Sequence, residues 1–354
     1  MLTRRAFAAL AAAVALPTRA HAQAASPFRR SPLIIAHRGA SGERPEHTLM
    51  AYRLAIAEGC DVIEPDLVPT RDGHLVVRHE PEISGTTDVA GRAEFAARKT
   101  RKVIDGEPLE GWFTEDFTLA ELKTLRARER LPQLRAGNLQ YDGLEPIPTF
   151  QEVVDLAKAE SRRTGRAIGT YPEMKHPTYF AGVGLPLEAR LHAALKANGL
   201  DSATAPVFVQ CFEVGALKAF RRLSRAPLIQ LVAADGGPAD LPALSYRAMT
   251  TPEGLRQVAA YADGIGPDWR MVLPTGPDGG LGAATPLVAD AHAAGLKVHP
   301  WTVRAENYFL PPALRRGEDP AAHGDVAAVY RALYATGIDG LFSDFPGLAV
   351  AARG

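Results

Sequence analysis

The chain has only two cysteines in 354 residues, Cys60 and Cys211, so no disulfide framework can form, and no cysteine–histidine spacing of a zinc finger is present. It also lacks an excess of either charge. Forty Lys+Arg stand against 40 Asp+Glu, so there is no broad basic field to gather nucleic acid or an anionic membrane surface. No run reaches the roughly 20 apolar residues that a membrane-spanning helix needs. Internal repeats and low-complexity tracts are absent from the body of the chain. What remains is ordinary: 46% hydrophobic and 23% charged residues exclude disordered, collagen-like and coiled-coil classes. The length suits about two domains, or one large barrel with an insertion.

The N-terminus reads as an export signal over Met1 to about Ala24. Arg4 and Arg5 give a positive start, Ala8 to Leu16 is a short apolar run, and Ala20-His21-Ala22 offers a small-residue cleavage site. Thr3-Arg4-Arg5-Ala6-Phe7 resembles the twin-arginine signal for exporting folded proteins, with Ala8 where leucine is usual. A periplasmic address is expected. Cleavage removes Arg4, Arg5 and Arg19 and no acid, leaving a net charge of −3. That address permits a Cys60–Cys211 disulfide. Two separate buried thiols are the plainer expectation, because both flank expected strands.

The rest alternates short β-branched runs with amphipathic stretches. Strands are expected at Leu33–Ala36, Asp61–Val68, Ala167–Lys175, Val207–Phe212, Leu228–Val232, Gly264–Asp268, Lys297–Val303 and Gly340–Asp344, with an extra return strand at His74–His79. Helices are expected between them: Thr48 to Glu58, one opened by the capping box Thr149-Phe150-Gln151-Glu152, and others starting at Thr251-Pro252 and Thr285-Pro286. Eight βα units predict an α/β fold of the (β/α)8 TIM-barrel type. Residues 81–148, charged and glycine-rich with Trp112, Phe113 and Phe117, break the rhythm and read as an insertion over the C-terminal face.

Barrel chemistry comes from strand ends and the loops after them, and the titratable clusters fall there. His37-Arg38-Gly39-Ala40 leaves the first strand, Glu64-Pro65-Asp66 lies on the second, His79-Glu80 ends the return strand, and Glu173-Met174-Lys175 lies on the third. Period-two alternation sends Glu64 and Asp66 to one side. Three inward carboxylates, Glu64, Asp66 and Glu173, must be protonated, paired or metal-bound, and oxygen ligands without cysteine suit calcium or magnesium. Arg38 and Lys175 add donors matched to phosphate. Two histidines supply an acid and a base near neutral pH. Each piece has a plainer reading: Glu-x-Asp is common on strands, a strand-end histidine is usually a satisfied turn residue, Glu173 and Lys175 can be a structural ion pair, and His74, His299 and Trp301 can be packing. Four clusters on neighbouring strand ends together describe a phosphodiester hydrolase.

The same residues carry a family resemblance. Ile35-Ala36-His37-Arg38-Gly39-Ala40-Ser41-Gly42, Pro45-Glu46-His47-Thr48, Glu64-Pro65-Asp66-Leu67 and the strand to His79 resemble the glycerophosphodiester phosphodiesterase family, in particular its exported bacterial branch. The likeness continues through Tyr171-Pro172-Glu173-Met174-Lys175, Val209-Gln210-Cys211-Phe212, Tyr261 to Pro267, His299-Pro300-Trp301-Thr302-Val303 and Phe342-Ser343-Asp344-Phe345-Pro346. It implies a barrel in which Glu64, Asp66 and Glu173 hold one divalent cation, usually calcium, with magnesium the alternative. His37 and His79 become the acid–base pair, and Arg38 and Lys175 hold phosphate. Gln210, Phe212 and Trp301 are further candidates for substrate contact, the two aromatics as a wall on the glycerol side.

The implied substrates are deacylated phospholipids such as glycerophosphocholine and glycerophosphoethanolamine, cleaved to sn-glycerol 3-phosphate and an alcohol. Which histidine takes and which gives the proton stays open. The nucleophile in one route is the glycerol hydroxyl beside the phosphoester. Two positions depart from the common pattern: Glu80 stands where aspartate is usual after the histidine, and Pro65 separates two carboxylates. Two rival readings remain, a phospholipase-like enzyme on intact lipid and a non-catalytic glycerophosphodiester-binding protein.

Overall fold

The computed structural model describes residues 27–28 and 30–354; the expected export signal lies outside them. The strands run in chain order β1 (Leu33–His37), β2 (Val62–Glu64), β3 (Asp66–Pro69), β4 (Leu75–Val77), β5 (Thr100–Ile104), β6 (Glu107–Gly111), β7 (Gly169–Thr170), β8 (Glu173–Met174), β9 (Val209–Cys211), β10 (Leu228–Val232), β11 (Gly264–Pro267), β12 (Lys297–Val298) and β13 (Gly340–Ser343). Two parallel runs, β13-β1-β2-β7 and β12-β11-β10-β9-β8-β3, form the staves, with β4 antiparallel on β3. Because β2/β3 and β7/β8 are halves of two staves, the runs join. Bridges from Asp268 to Trp301 and from Val303 to Ser343 extend the seventh stave and close the ring. This is the expected eight-stave barrel.

Three expected strands are broken, each at a proline; Lys297–Val303 keeps Lys297–Val298 and, beyond Pro300, only the bridges at Trp301 and Val303. Asp61–Val68 divides at Pro65 and Ala167–Lys175 at Pro172, since proline has no N–H for the ladder. Their carbonyls still pair: Pro65 O accepts from Glu173 N at 3.0 Å and Pro172 O from Gln210 N at 3.0 Å. Thr48 caps the first helix, Leu49–Ala57, and Thr149 and Glu152 form both halves of the capping box of Phe150–Thr164. Thr251 caps Pro252–Ala259 as expected. At Thr285-Pro286 the start moves one residue on: Pro286 is the cap of Leu287–Ala293.

Alternation on the staves separates two apolar layers. Leu33, Ile35, Val62, Tyr171, Phe208, Ile229 and Phe342 pack together in the bore, whereas Ile34, Ala36 and Ile63 join the larger core under the helices. His37 and Glu64 are the next inward positions above Ile35 and Val62, so the filled bore becomes the floor of a polar site at the C-terminal end of the staves.

Residues 81–148 fold into the β5–β6 hairpin, several 3-10 turns and the short helix Leu119–Leu122. Trp112, Phe113 and Phe117 are buried there, with Trp112 Nε1 donating to Phe95 O at 2.7 Å. Cys60 and Cys211 are both buried free thiols. The plainer of the two cysteine expectations is the one observed.

Candidate active site

Strand register alone sets the carboxylates side by side. His37 is level with Glu64 across β1 and β2, Asp66 with Glu173 across β3 and β8, and Glu173 with Gln210 across β8 and β9. One oxygen from each of Glu64, Asp66 and Glu173 lies within 4.8 Å of the others, and all three side chains are buried. The break at Pro65 does not spoil the convergence.

Each carboxylate is oriented from outside the trio. Glu64 Oε2 accepts the Arg38 backbone N–H at 2.8 Å and Oε1 accepts Gln210 Nε2 at 3.1 Å. Asp66 Oδ2 takes His47 Nε2 at 2.8 Å and lies 3.5 Å from Arg38 Nε. Glu173 Oε1 accepts Lys175 Nζ at 2.8 Å. Asp66 Oδ1 is buried with no hydrogen-bond partner among the described residues. Burial, with Asp66 and Glu173 alongside, pushes Glu64 well above the ordinary carboxylate range. Burial also lifts Glu173 to about 8, despite Lys175. Burial opposes ionisation of Asp66 as well, but Lys175, His79 and His47 hold it well below its usual value. An oxygen-only donor set, mutually repelling and with a buried lone pair unused, fits a hard divalent cation.

The two histidines flank this trio. Leaving β1, Arg38 takes a left-handed φ of 58° and Gly39 one of 88°. A Cβ on Gly39 would sit 2.8 Å from Ala51 Cβ, so the tight turn requires glycine there. This turn aims the Arg38 N–H at Glu64 while His37 Nδ1 meets Asp344 Oδ1 at 2.6 Å. On the other side His79 Nδ1 bonds Glu80 Oε1, and Lys175 Nζ lies 3.2 Å from His79 Nε2. With a carboxylate on each Nδ1, Nε2 is the atom available for proton transfer, and on His79 it accepts from Lys175 Nζ in the protein alone. Burial, then the Arg38 charge, lowers His37 to about 4. Burial, then Arg38 and Lys175, lowers His79 to about 3. Both rings are therefore neutral at pH 7 in the protein alone.

The expected substrate contacts divide. Arg38 and Lys175 stand at the trio. Gln210 is buried, its Nε2 donating to Glu64 and its Oε1 without a hydrogen-bond partner among the described residues. Phe212 and Trp301, half-buried, meet edge to face at 5.7 Å, with Lys175 Nζ 5.9 Å from the Phe212 ring centroid. Trp301 Nε1 donates to Gly266 O at 2.7 Å. His299 is buried below, bonded to Tyr171 at 2.8 Å, which is a packing role.

Sequence reasoning missed the outer ring of the site. Asp344 takes Arg135 at 2.6 Å and Arg304 at 2.9 Å on Oδ2; Glu46 takes Arg38 at 3.0 Å and Arg130 at 2.6 Å; and His47 binds Asp66. Glu46, His47 and Asp344 stood inside recognisable motifs, so a signal existed for them. Arg130 and Arg135 had none.

The Asp344 cluster carries a pH signature. Burial works against its charge, but Arg304, Arg135 and His37 hold its carboxyl well below the ordinary range. A depressed acid stabilises the fold above its unfolded value, about 3.9, and that contribution fades as pH falls toward the folded value. Below about pH 3.9, wild-type stability should drop about 1.4 kcal/mol per pH unit more steeply than that of Asp344→Asn. At pH 7 the variant should be weaker by about 3–5 kcal/mol, the usual cost of breaking a buried ion pair. Urea unfolding at pH 7 and pH 3 measures both, and equal slopes would refute the assignment.

A barrel whose top holds buried carboxylates, two cations suited to phosphate and two carboxylate-backed imidazoles belongs to the metal-assisted phosphodiesterases in its chemistry. Residues 37–348 match the Glycerophosphoryl diester phosphodiesterase family. An Arabidopsis thaliana glycerophosphodiester phosphodiesterase, GDPD6, is 36% identical over 345 residues, covering 94% of this chain and 89% of that protein. A Haemophilus influenzae glycerophosphodiester phosphodiesterase is 32% identical, covering 98% and 96%. Among solved structures, an Oleispira antarctica phosphodiesterase in complex with the product sn-glycerol-3-phosphate superposes with a TM-score of 0.60 at 21% identity, over 93% of this chain and 99% of that one. The chain is a member of the glycerophosphoryl diester phosphodiesterase family.

Proposed function

We propose that this protein hydrolyses glycerophosphodiesters to sn-glycerol 3-phosphate and an alcohol. The observation that carries this reading is the pair of carboxylate-backed imidazoles, His37–Asp344 and His79–Glu80, on either side of the Glu64, Asp66 and Glu173 oxygens. A divalent cation held by those three residues would neutralise a nonbridging phosphate oxygen and template the diester. Calcium is the ion we infer, with magnesium the alternative.

Arg38 and Lys175 bring fixed positive charge to the same phosphate. Their charges also depress His79, so an arriving anionic ester offsets them and strengthens that ring's hold on a proton. One imidazole Nε2 removes the proton of the attacking hydroxyl, and the other delivers one to the departing alkoxide. In our reading the attacker is the glycerol hydroxyl next to the ester, giving a cyclic phosphate that water then opens. Calcium-supplemented release of glycerol 3-phosphate across several head groups tests the function; no release from any of them defeats it. A substrate lacking that hydroxyl should bind and stay uncleaved, and normal turnover of it would exclude the cyclic route.

The rival on intact lipid wants an aromatic rim at the mouth. Trp112 and Phe113, two of the aromatics of residues 81–148, are both buried and form no such rim. Cleavage of phosphatidylcholine as fast as glycerophosphocholine would nonetheless restore it.

Export by the twin-arginine route is also part of our reading, supported by Arg4-Arg5 and the alanine-rich run after them. Replacing both arginines by lysine should leave the activity in the cytoplasmic fraction. Unchanged delivery to the periplasm would overturn this.

A further inference from the structure

Both histidine–carboxylate pairs end on an arginine from the insertion. Arg130 donates to Glu80 Oε1 at 2.9 Å and forks onto both oxygens of Glu46 at 2.7 and 2.6 Å. Arg135 donates to Asp344 Oδ2 at 2.6 Å, Glu306 Oε1 at 2.7 Å and Ser41 O at 2.9 Å. A turn closed by Leu134 N to Leu131 O at 2.9 Å and Arg135 N to Leu131 O at 2.8 Å fixes the spacing between them.

We propose that Arg130 and Arg135 are positioning residues for proton transfer, each insertion guanidinium holding the carboxylate that sets one imidazole's ring and tautomer. This rests on the hydrolysis proposed above. The need is plainest at Glu80. It belongs to the residue next to His79, and its side chain is 31% exposed. A long, partly solvated glutamate samples several rotamers unless it is held. The planar fork of Arg130 fixes it in the one that returns to the preceding ring. This is how glutamate serves where aspartate is the commoner neighbour. At Asp344 the guanidinium of Arg135, only 6% exposed, occupies Oδ2 and leaves Oδ1 to His37. A carboxylate on Nδ1 keeps the proton there and Nε2 toward the substrate, as in catalytic triads.

The test uses Arg130→Ala and Arg135→Lys in the full-length protein. Loss of such supporting contacts typically costs 10–100-fold, so kcat for glycerophosphocholine should fall on the order of 10-fold or more in each. KM should hold in Arg135→Lys, which leaves Arg38 and Lys175 untouched. Guanidinium ion should partly restore Arg130→Ala. In chelator-treated, ¹⁵N-histidine-labelled protein, the downfield Nδ1–H signal of His79 should be lost in Arg130→Ala and that of His37 in Arg135→Lys, the signals being assigned with His→Ala variants. Wild-type kcat in the variants, or lost kcat with both signals unmoved, would overturn the proposal. Should Arg135→Lys not fold, Arg135→Gln, which keeps hydrogen-bond donors, takes its place in the same measurements. Absence of glycerol 3-phosphate release by wild type would instead strike the proposed function, while the Nδ1–H signals still report on the arginines.

Discussion

Replacing His37 or His79 by alanine should reduce kcat about 10²–10⁴-fold, the usual worth of a positioned acid or base, while the fold survives. The survival follows from what each ring leaves behind. Without His37, Asp344 still pairs with Arg135 and Arg304; without His79, Glu80 still pairs with Arg130. Neither deletion strands a buried charge, so the stability loss should stay near the average for a point substitution, about 1 kcal/mol. The double variant should lose little more than the worse single one, because two groups that move one proton relay act as a unit. Stopped assays of glycerol 3-phosphate release, with thermal unfolding alongside, separate the outcomes. A single variant with wild-type kcat would remove that histidine from the mechanism.

Chelation should abolish activity, and calcium should restore it. The same carboxylates make a second, activity-free readout. In metal-free protein Glu64 and Glu173 are forced toward the protonated form by burial and by the neighbouring Asp66 charge, so a bound cation relieves a cost already present in the fold. Metal at about 100 times its Kd should stabilise wild type by about 2.7 kcal/mol. In Glu173→Gln that increment should vanish, read against the variant's own metal-free baseline, because the substitution also takes from buried Lys175 its carboxylate partner. Full activity in excess chelator, or a melting temperature indifferent to both calcium and magnesium, would defeat the metal reading. Comparing calcium with magnesium in the restored enzyme decides between the two ions.

The barrel was readable because its periodicity is local. Leu33, Ile35 and His37 alternate with Ile34 and Ala36, and the first set faces the bore while the second faces helices. The boundaries were less readable where proline interrupts a ladder whose direction carries on, as at Pro65 and Pro172. The three carboxylates were expected on neighbouring staves and do converge. Gln210 Nε2 donates to Glu64, a pairing that the register across β8 and β9 decides and no local pattern shows. Residues 81–148 carried no periodic pattern, because hairpins and 3-10 turns bury side chains irregularly.

By itself the sequence determined the number of βα units, the inward faces and the acids and imidazoles at the strand ends. Spacing of two on a strand dictates those through steric alternation alone. Tertiary structure decided which arginine meets which acid. Arg130 and Arg135 reach Glu46, Glu80, Glu306 and Asp344 across long stretches of chain. Such pairings are chosen when desolvated charges find the nearest partner in the folded state, and no local pattern records that choice.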